Sequence, residues 1–175
     1  MATETCDSGN RDFRAQITKM LASKPDAIWA PTYGKEGGLF LKQLKEAAYT
    51  GPVFGGDVWS SPELIEAAGN ATEGARFVVA ADFSGPEYER FAKAYEKKAG
   101  SKPDVYASLA YDMAKIVCQA IGEGKRTGPE FQQFLATMAV YEGVTGKTQF
   151  DRNGDVIGKA FSRKIYHDGK AVTVD

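Results

Sequence analysis

Apolar residues alternate along the first hundred positions between short continuous runs and stripes spaced three or four apart, which predicts strands alternating with helices. Ala2 to Cys6 is a β-compatible opening, after which Asp12 is read as the cap of a helix with Phe13, Ile17, Met20 and Leu21 on one face. Lys24-Pro25-Asp26 ends that helix, and Ala27-Ile28-Trp29-Ala30 reads as a buried strand. A Thr32-Tyr33-Gly34 loop then leads into a helix burying Leu41, Leu44 and Ala48. Pro52-Val53-Phe54 forms the next strand, followed by a helix through Leu64, Ile65 and Ala68 and the strand Phe77-Val78-Val79-Ala80. Ser60 with Glu63 and Ser84 with Glu87 have capping-box spacing, the second opening a helix with Tyr88, Phe91, Ala92 and Tyr95 on one side. Four strand-to-helix units in series predict a doubly wound α/β fold with a mainly parallel sheet.

Beyond Gly100-Ser101-Lys102-Pro103 two helices follow each other with no strand between them, which marks a boundary. The first carries Tyr106, Leu109, Ala110, Met113, Val117 and Ala120 on one stripe; the second opens at Pro129 and carries Phe131, Phe134, Leu135 and Met138. Gly143 to Phe150 reads as a strand region leading into the turn Asp151 to Asp155, and the chain closes with a hairpin turning at His167-Asp168-Gly169.

At 175 residues the chain can bury a sizeable core without metal or disulfide staples. A net charge of −1 gives no basic excess, so nucleic acid is not an expected partner. Met1-Ala2-Thr3-Glu4-Thr5 has neither a basic start nor an apolar core, so no signal peptide is expected in this chain. Cys6 and Cys118 match no metal or redox spacing and are expected to be buried free thiols.

The most informative chemistry lies in Gly55-Gly56-Asp57-Val58-Trp59-Ser60-Ser61-Pro62-Glu63-Leu64, which places a carboxylate and an indole on a loop leaving a strand's carboxyl end. Ligands of open α/β sheets collect outside those ends, and an Asp there suits a cationic group. The competing reading is that Asp57 only caps a turn. Other motifs fail. Asp151, Asn153 and Asp155 have calcium-loop spacing, but Val156 stands where glycine is required and Ser162 where Glu is required. His167 is the sole histidine and lies in a turn, and Gly34-Lys35-Glu36-Gly37-Gly38 lacks the ending of a phosphate loop. No catalytic group, cofactor or metal is expected; Asn70-Ala71-Thr72 fits a glycosylation sequon, a match common by chance.

Taken together, Asp12-Phe13-Arg14-Ala15-Gln16, Lys24-Pro25-Asp26-Ala27-Ile28, Lys42-Gln43, the Gly55 to Leu64 segment, Asn70-Ala71-Thr72-Glu73-Gly74, Tyr111-Asp112 and Phe150-Asp151-Arg152-Asn153-Gly154-Asp155 carry a resemblance in their order. The chain resembles the C-terminal half of a type I periplasmic solute-binding protein of the branched-chain amino acid (Leu/Ile/Val) class, the receptor component of ABC importers. The resemblance implies a two-lobed receptor whose chain crosses repeatedly between lobes. Residues 1–102 would form the second, C-terminal lobe, 103–156 a segment returning to the first and incomplete lobe, and 157–175 the closing hairpin of the second. It implies that Asp57 pairs with the ligand's ammonium group and that Tyr33 and Tyr111 line the cleft, with Trp59 beside them; Gly34 stands where relatives often have a second tyrosine, which suggests a pocket that is wider or shaped for another side chain. Projection at about 100° per residue also puts Tyr111 off the apolar stripe of its helix. The competing readings are that Tyr33 packs at a strand end, Trp59 covers the sheet edge and Tyr111 lies on the surface or between lobes.

The implied partners are a small-molecule ligand (an amino acid or small carboxylate) and an ABC permease, and the implied location is periplasmic. Relatives carry a further N-terminal portion, with a signal peptide and most of the first lobe, so this chain is expected to be a truncated fragment that binds weakly alone. Its helices after residue 103 would expose apolar stripes, covered by the missing N-terminal lobe or by self-association. Two other classes stay open: a ligand-sensing domain of a signalling or regulatory protein, and a small α/β enzyme, against which the lack of a nucleophile, base or metal cluster counts.

Overall fold

A computed structural model describes residues 1–80 and 82–174. In chain order the elements are α1 (Arg14–Ala22), β1 (Ile28–Trp29), α2 (Gly34–Glu46), β2 (Val53–Gly55), α3 (Pro62–Ala68), β3 (Arg76–Ala80), α4 (Pro86–Ala99), α5 (Val105–Gly122), α6 (Gly128–Thr137), β4 (Tyr141–Gly143), β5 (Gly146–Phe150), β6 (Val156–Ile157), β7 (Phe161–His167) and β8 (Lys170–Val174). They fall into two compact units, Met1–Val79 with Phe161–Asp175, and Ala80–Ala160. No strand forms over Ala2 to Cys6.

In the first unit the short apolar runs pair as a sheet of order β1-β2-β3-β7-β8. β1, β2 and β3 run parallel, with Ile28 opposite Val53 and Phe54 opposite Arg76; β7 and β8 form the expected antiparallel hairpin. Because side chains alternate across a strand, Ile28, Val53, Phe77, Val79 and Tyr166 face one side. There they pack with Phe13 and Ile17 of the α1 segment, Phe40, Leu41 and Leu44 of α2, and Leu64 of α3. Each fully buried Phe or Leu contributes roughly 1.5–3 kcal/mol. The opposite face is bare: Trp29 is 63% exposed, and Phe54 and Val78 are exposed with it. The strand around Trp29 is therefore not buried on both sides as expected, since α1, α2 and α3 share a single core.

Helix starts depart from expectation in detail. Phe13, not Asp12, occupies the N-cap of α1. Asp12 still accepts the Arg14 N–H at 3.1 Å, while the buried amide of Gln43 accepts the Phe13 N–H at 2.6 Å. The Ser60/Glu63 and Ser84/Glu87 boxes do not form, because α3 and α4 begin directly at Pro62 and Pro86, with Ser61 and Gly85 as N-caps. A complete capping box forms instead at Thr127 and Glu130 of α6. Both cysteines are free as expected but exposed rather than buried.

In the second unit α5 turns Ser108, Asp112, Ile116 and Ala120 inward, at i, i+4 spacing, and leaves Tyr106, Met113 and Val117 of the expected stripe exposed. Ile116, Ala120 and Phe134 form its small core, with Phe131, Leu135 and Met138 packed against it. α4 lies in this unit, its Phe91 ring 4.6 Å from that of Tyr111 on α5. The divisions thus fall at 79/80 and 160/161. Asp151 accepts the N–H groups of Asn153 and Asp155 at 2.8 and 2.9 Å, which closes the turn between β5 and β6.

Candidate functional site

Parallel pairing sends the chain out of β1 and β2 at the same edge of the sheet, with the Ala30 N–H donating to the Phe54 carbonyl at 2.8 Å as the last link. Three residues past Ala30, Tyr33 is the N-cap of α2, its backbone extended and its side chain 67% exposed. Two residues past Gly55, Asp57 opens a 3₁₀ turn through Ser60, exposed to solvent. A carboxylate and a phenol therefore occupy the carboxyl ends of neighbouring parallel strands, where small molecules bind open α/β sheets.

The two loops are fastened by Trp59. Its indole is 0% exposed and donates Nε1–H to Thr32 Oγ1 at 3.1 Å, while its carbonyl accepts the Tyr166 O–H at 2.7 Å. A Cβ at Gly55 or at Gly37 would overlap the indole. The sequence left Trp59 either beside the cleft or over the sheet edge; here its ring is buried against Gly37, Gly55 and Thr32. Its part is to hold the loop that carries Asp57.

The glycines of Gly34-Lys35-Glu36-Gly37-Gly38 are explained by the same packing. Side chains at Gly34 and Gly38 would run into Ser61 and into the Leu64 carbonyl, so the helix presents a smooth face to the Trp59 loop and α3. The room left by Gly34 is taken by Ser61.

Tyr111 belongs to the second unit. It is 41% exposed on α5 and, with Arg90, Phe91, Lys115 and Tyr141, lines a cavity of about 390 Å³. Its neighbour Asp112 is 2% exposed and accepts N–H groups from Val144 and Thr145 at 2.9 and 2.8 Å together with the Thr145 hydroxyl. That carboxylate pins the β4–β5 turn to α5. Gly143 is obligatory beside it, since a Cβ there would strike Asp112. Lys159 completes the cluster by donating to the Thr145 carbonyl and hydroxyl at 3.0 and 2.8 Å, and desolvation lowers its pKa against the opposing pull of Asp112.

Sequence reasoning missed Thr32, Tyr166 and Asp112 as supporting residues. Only Asp112 carried a signal, as the one carboxylate in a largely apolar helix, and acids are seldom buried unless hydrogen-bonded.

Comparison with known proteins agrees with this architecture. A family described as periplasmic binding protein matches residues 1–168. The leucine-, isoleucine-, valine-, threonine- and alanine-binding protein of Pseudomonas aeruginosa is 25% identical over 171 residues, 97% of this chain and 45% of its own length. The crystal structure of the leucine-binding protein LivK from Thermotoga maritima superposes with a TM-score of 0.82 at 30% identity, over 96% of this chain and 49% of that one. The substrate-binding protein LivJ of Streptococcus pneumoniae, solved with isoleucine, gives 0.74 at 29% identity, over 95% and 50%. The chain spans about half the length of the relatives it matches.

Proposed function

Because the chain belongs to the periplasmic binding protein family, we propose that it supplies the second-lobe half of an extracytoplasmic solute receptor serving an ABC importer of branched-chain or related amino acids. Asp57 takes the ligand's ammonium group in a charge-assisted hydrogen bond, and Tyr33 lines the same edge. The observation that carries this reading is the exposure of Asp57 and Tyr33 at adjacent parallel strand ends, on loops tied together through Trp59 and Thr32. Names of the relatives support the ligand class: leucine, isoleucine and valine in one, isoleucine in another.

On this reading the remaining partners are an ABC permease and an N-terminal lobe, with self-association through the bare apolar faces as the arrangement when that lobe is absent. Half a cleft clamps only one end of a ligand and leaves it wet, so the chain alone binds weakly.

Calorimetric titration of leucine, isoleucine, valine and benzoate against the chain, alone and mixed with the N-terminal half of a close relative, tests this. Binding that needs the mixture and falls at least tenfold with Asp57→Asn supports the assignment. Unchanged affinity in Asp57→Asn refutes Asp57 as the cation site; tight binding by the chain alone refutes the half-receptor.

A further inference from the structure

At the opposite end of the sheet from Tyr33 and Asp57, three donor side chains converge that the receptor reading does not use. Glu73 precedes β3, while His167 ends β7 and Asp168 begins the turn to β8. The segments are locked together by backbone hydrogen bonds, Tyr166 N–H to the Ala75 carbonyl and Gly74 N–H to the Tyr166 carbonyl, both 2.9 Å. The turn is equally fixed: Asp168 and Gly169 have φ of 49° and 71°, the left-handed pair of a tight two-residue hairpin. Glu73 Oε1 lies 2.8 Å from His167 Nδ1, Glu73 Oε2 accepts the Asp168 N–H at 2.9 Å, and His167 Nε2 lies 3.7 Å from Asp168 Oδ2. One donor atom from each of the three residues lies within 4.8 Å of the others.

We propose that Glu73, His167 and Asp168 form a surface site for one divalent transition-metal ion, held by an imidazole nitrogen and one oxygen from each carboxylate, with water completing the shell. One imidazole and two carboxylates suit zinc, nickel or manganese, whose bonds of about 2.0–2.2 Å require donor atoms roughly 3–4 Å apart. The two carboxylates neutralise a dication, and the paired backbones hold the three residues side by side, so that side-chain rotation alone brings an oxygen of each carboxylate to one imidazole nitrogen. Lys45, whose ammonium donates to the Asn70 carbonyl at 3.0 Å, is the cation whose charge acts on Glu73 and opposes the site.

The test uses the whole chain at pH 7.5 in a Cys6→Ser/Cys118→Ser background, which removes the exposed thiols as rival ligands. Zinc chloride and nickel chloride are titrated by calorimetry, and zinc also by NMR of the imidazole, which is unambiguous because the chain has a single histidine. Saturation at one equivalent with a shifted imidazole, abolished by His167→Gln and weakened at least tenfold by Glu73→Gln and by Asp168→Asn, establishes the site. Circular dichroism of each variant checks that the fold persists. Unchanged affinity in either carboxylate variant would mean coordination by a lone imidazole, and an unmoved imidazole or a millimolar dissociation constant would mean no site; each overturns the proposal.

Discussion

The phenol of Tyr166 donates to the carbonyl of Trp59 at 2.7 Å across 107 residues of sequence, both side chains being shut away from solvent. The closing hairpin thereby holds the loop that carries Asp57. Burial raises the Tyr166 pKa, so the phenol stays a neutral donor throughout the working range. Tyr166→Phe keeps the ring against Phe77 but leaves the Trp59 carbonyl unpaired, an expected cost of about 1–3 kcal/mol. Urea unfolding measures it, and amide exchange of residues 56–61 should quicken in the same variant.

Gly55→Ala is expected to be worse than an ordinary overpacking change. The added methyl meets the indole of Trp59, which is pinned through its ring N–H while the residue's backbone carbonyl is held by Tyr166, and so has little freedom to retreat. A loss of about 1–3 kcal/mol or more follows, and the double variant Gly55→Ala/Trp59→Leu should recover part of it. If the double variant is no more stable than Gly55→Ala alone, the indole is not what the methyl strikes.

Asp112→Asn replaces an acceptor for three donors with a group that presents only one oxygen. Hydrogen bonds to a charged acceptor contribute about 1.5–3 kcal/mol, so a loss in that range is expected. Exchange at the Val144 and Thr145 amides should accelerate more than exchange in the first unit.

The α6 cap gives a pH signature. Glu130 accepts from the backbone of Arg126 and from both the backbone and hydroxyl of Thr127, and these bonds, that of Arg126 first, lower its pKa below 4.5. With the folded value depressed, its contribution is complete above pH 4.5 and disappears as pH falls through the folded value. Glu130→Gln should therefore flatten the acid limb of the stability profile below pH 4.5 and leave its slope near neutrality unchanged. An acid limb identical to that of the wild type would show that the cap does not contribute.

The capping residues also show what a sequence can and cannot convey. Ser60-Ser61-Pro62-Glu63, Ser84-Gly85-Pro86-Glu87 and Thr127-Gly128-Pro129-Glu130 share one pattern, yet only the last builds a box. In the first two the proline becomes the first helical residue, so the glutamate arrives one position early. That choice depends on neighbours such as Trp59, which local spacing does not encode. The order of strands and helices was legible because apolar periodicity records it directly, and so was the placement of Asp57 and Tyr33 at strand ends. Trp59 kept two readings because an aromatic beside a binding loop looks the same in sequence whether it faces the ligand or supports the loop; the close approach of Gly37 and Gly55 to its ring is legible only in three dimensions. The stripe on α5 misled for a related reason: periodicity reveals an apolar face but not what packs against it, and the hydrogen bonds to Asp112 turn the buried face about a quarter turn round the helix, so that only Ala120 belongs to both.

The bare side of the sheet has a spectroscopic consequence. The chain has two tryptophans, and they stand at the extremes of environment: Trp29 lies open on that side, while Trp59 is sealed beneath the other. Acrylamide should quench the first and spare the second. Anything that comes to lie over Phe54 and Val78 should shift Trp29 emission to the blue, and loosening of the Asp57 loop should shift Trp59 emission to the red, so that one unlabelled molecule reports its coverage and its integrity in opposite directions.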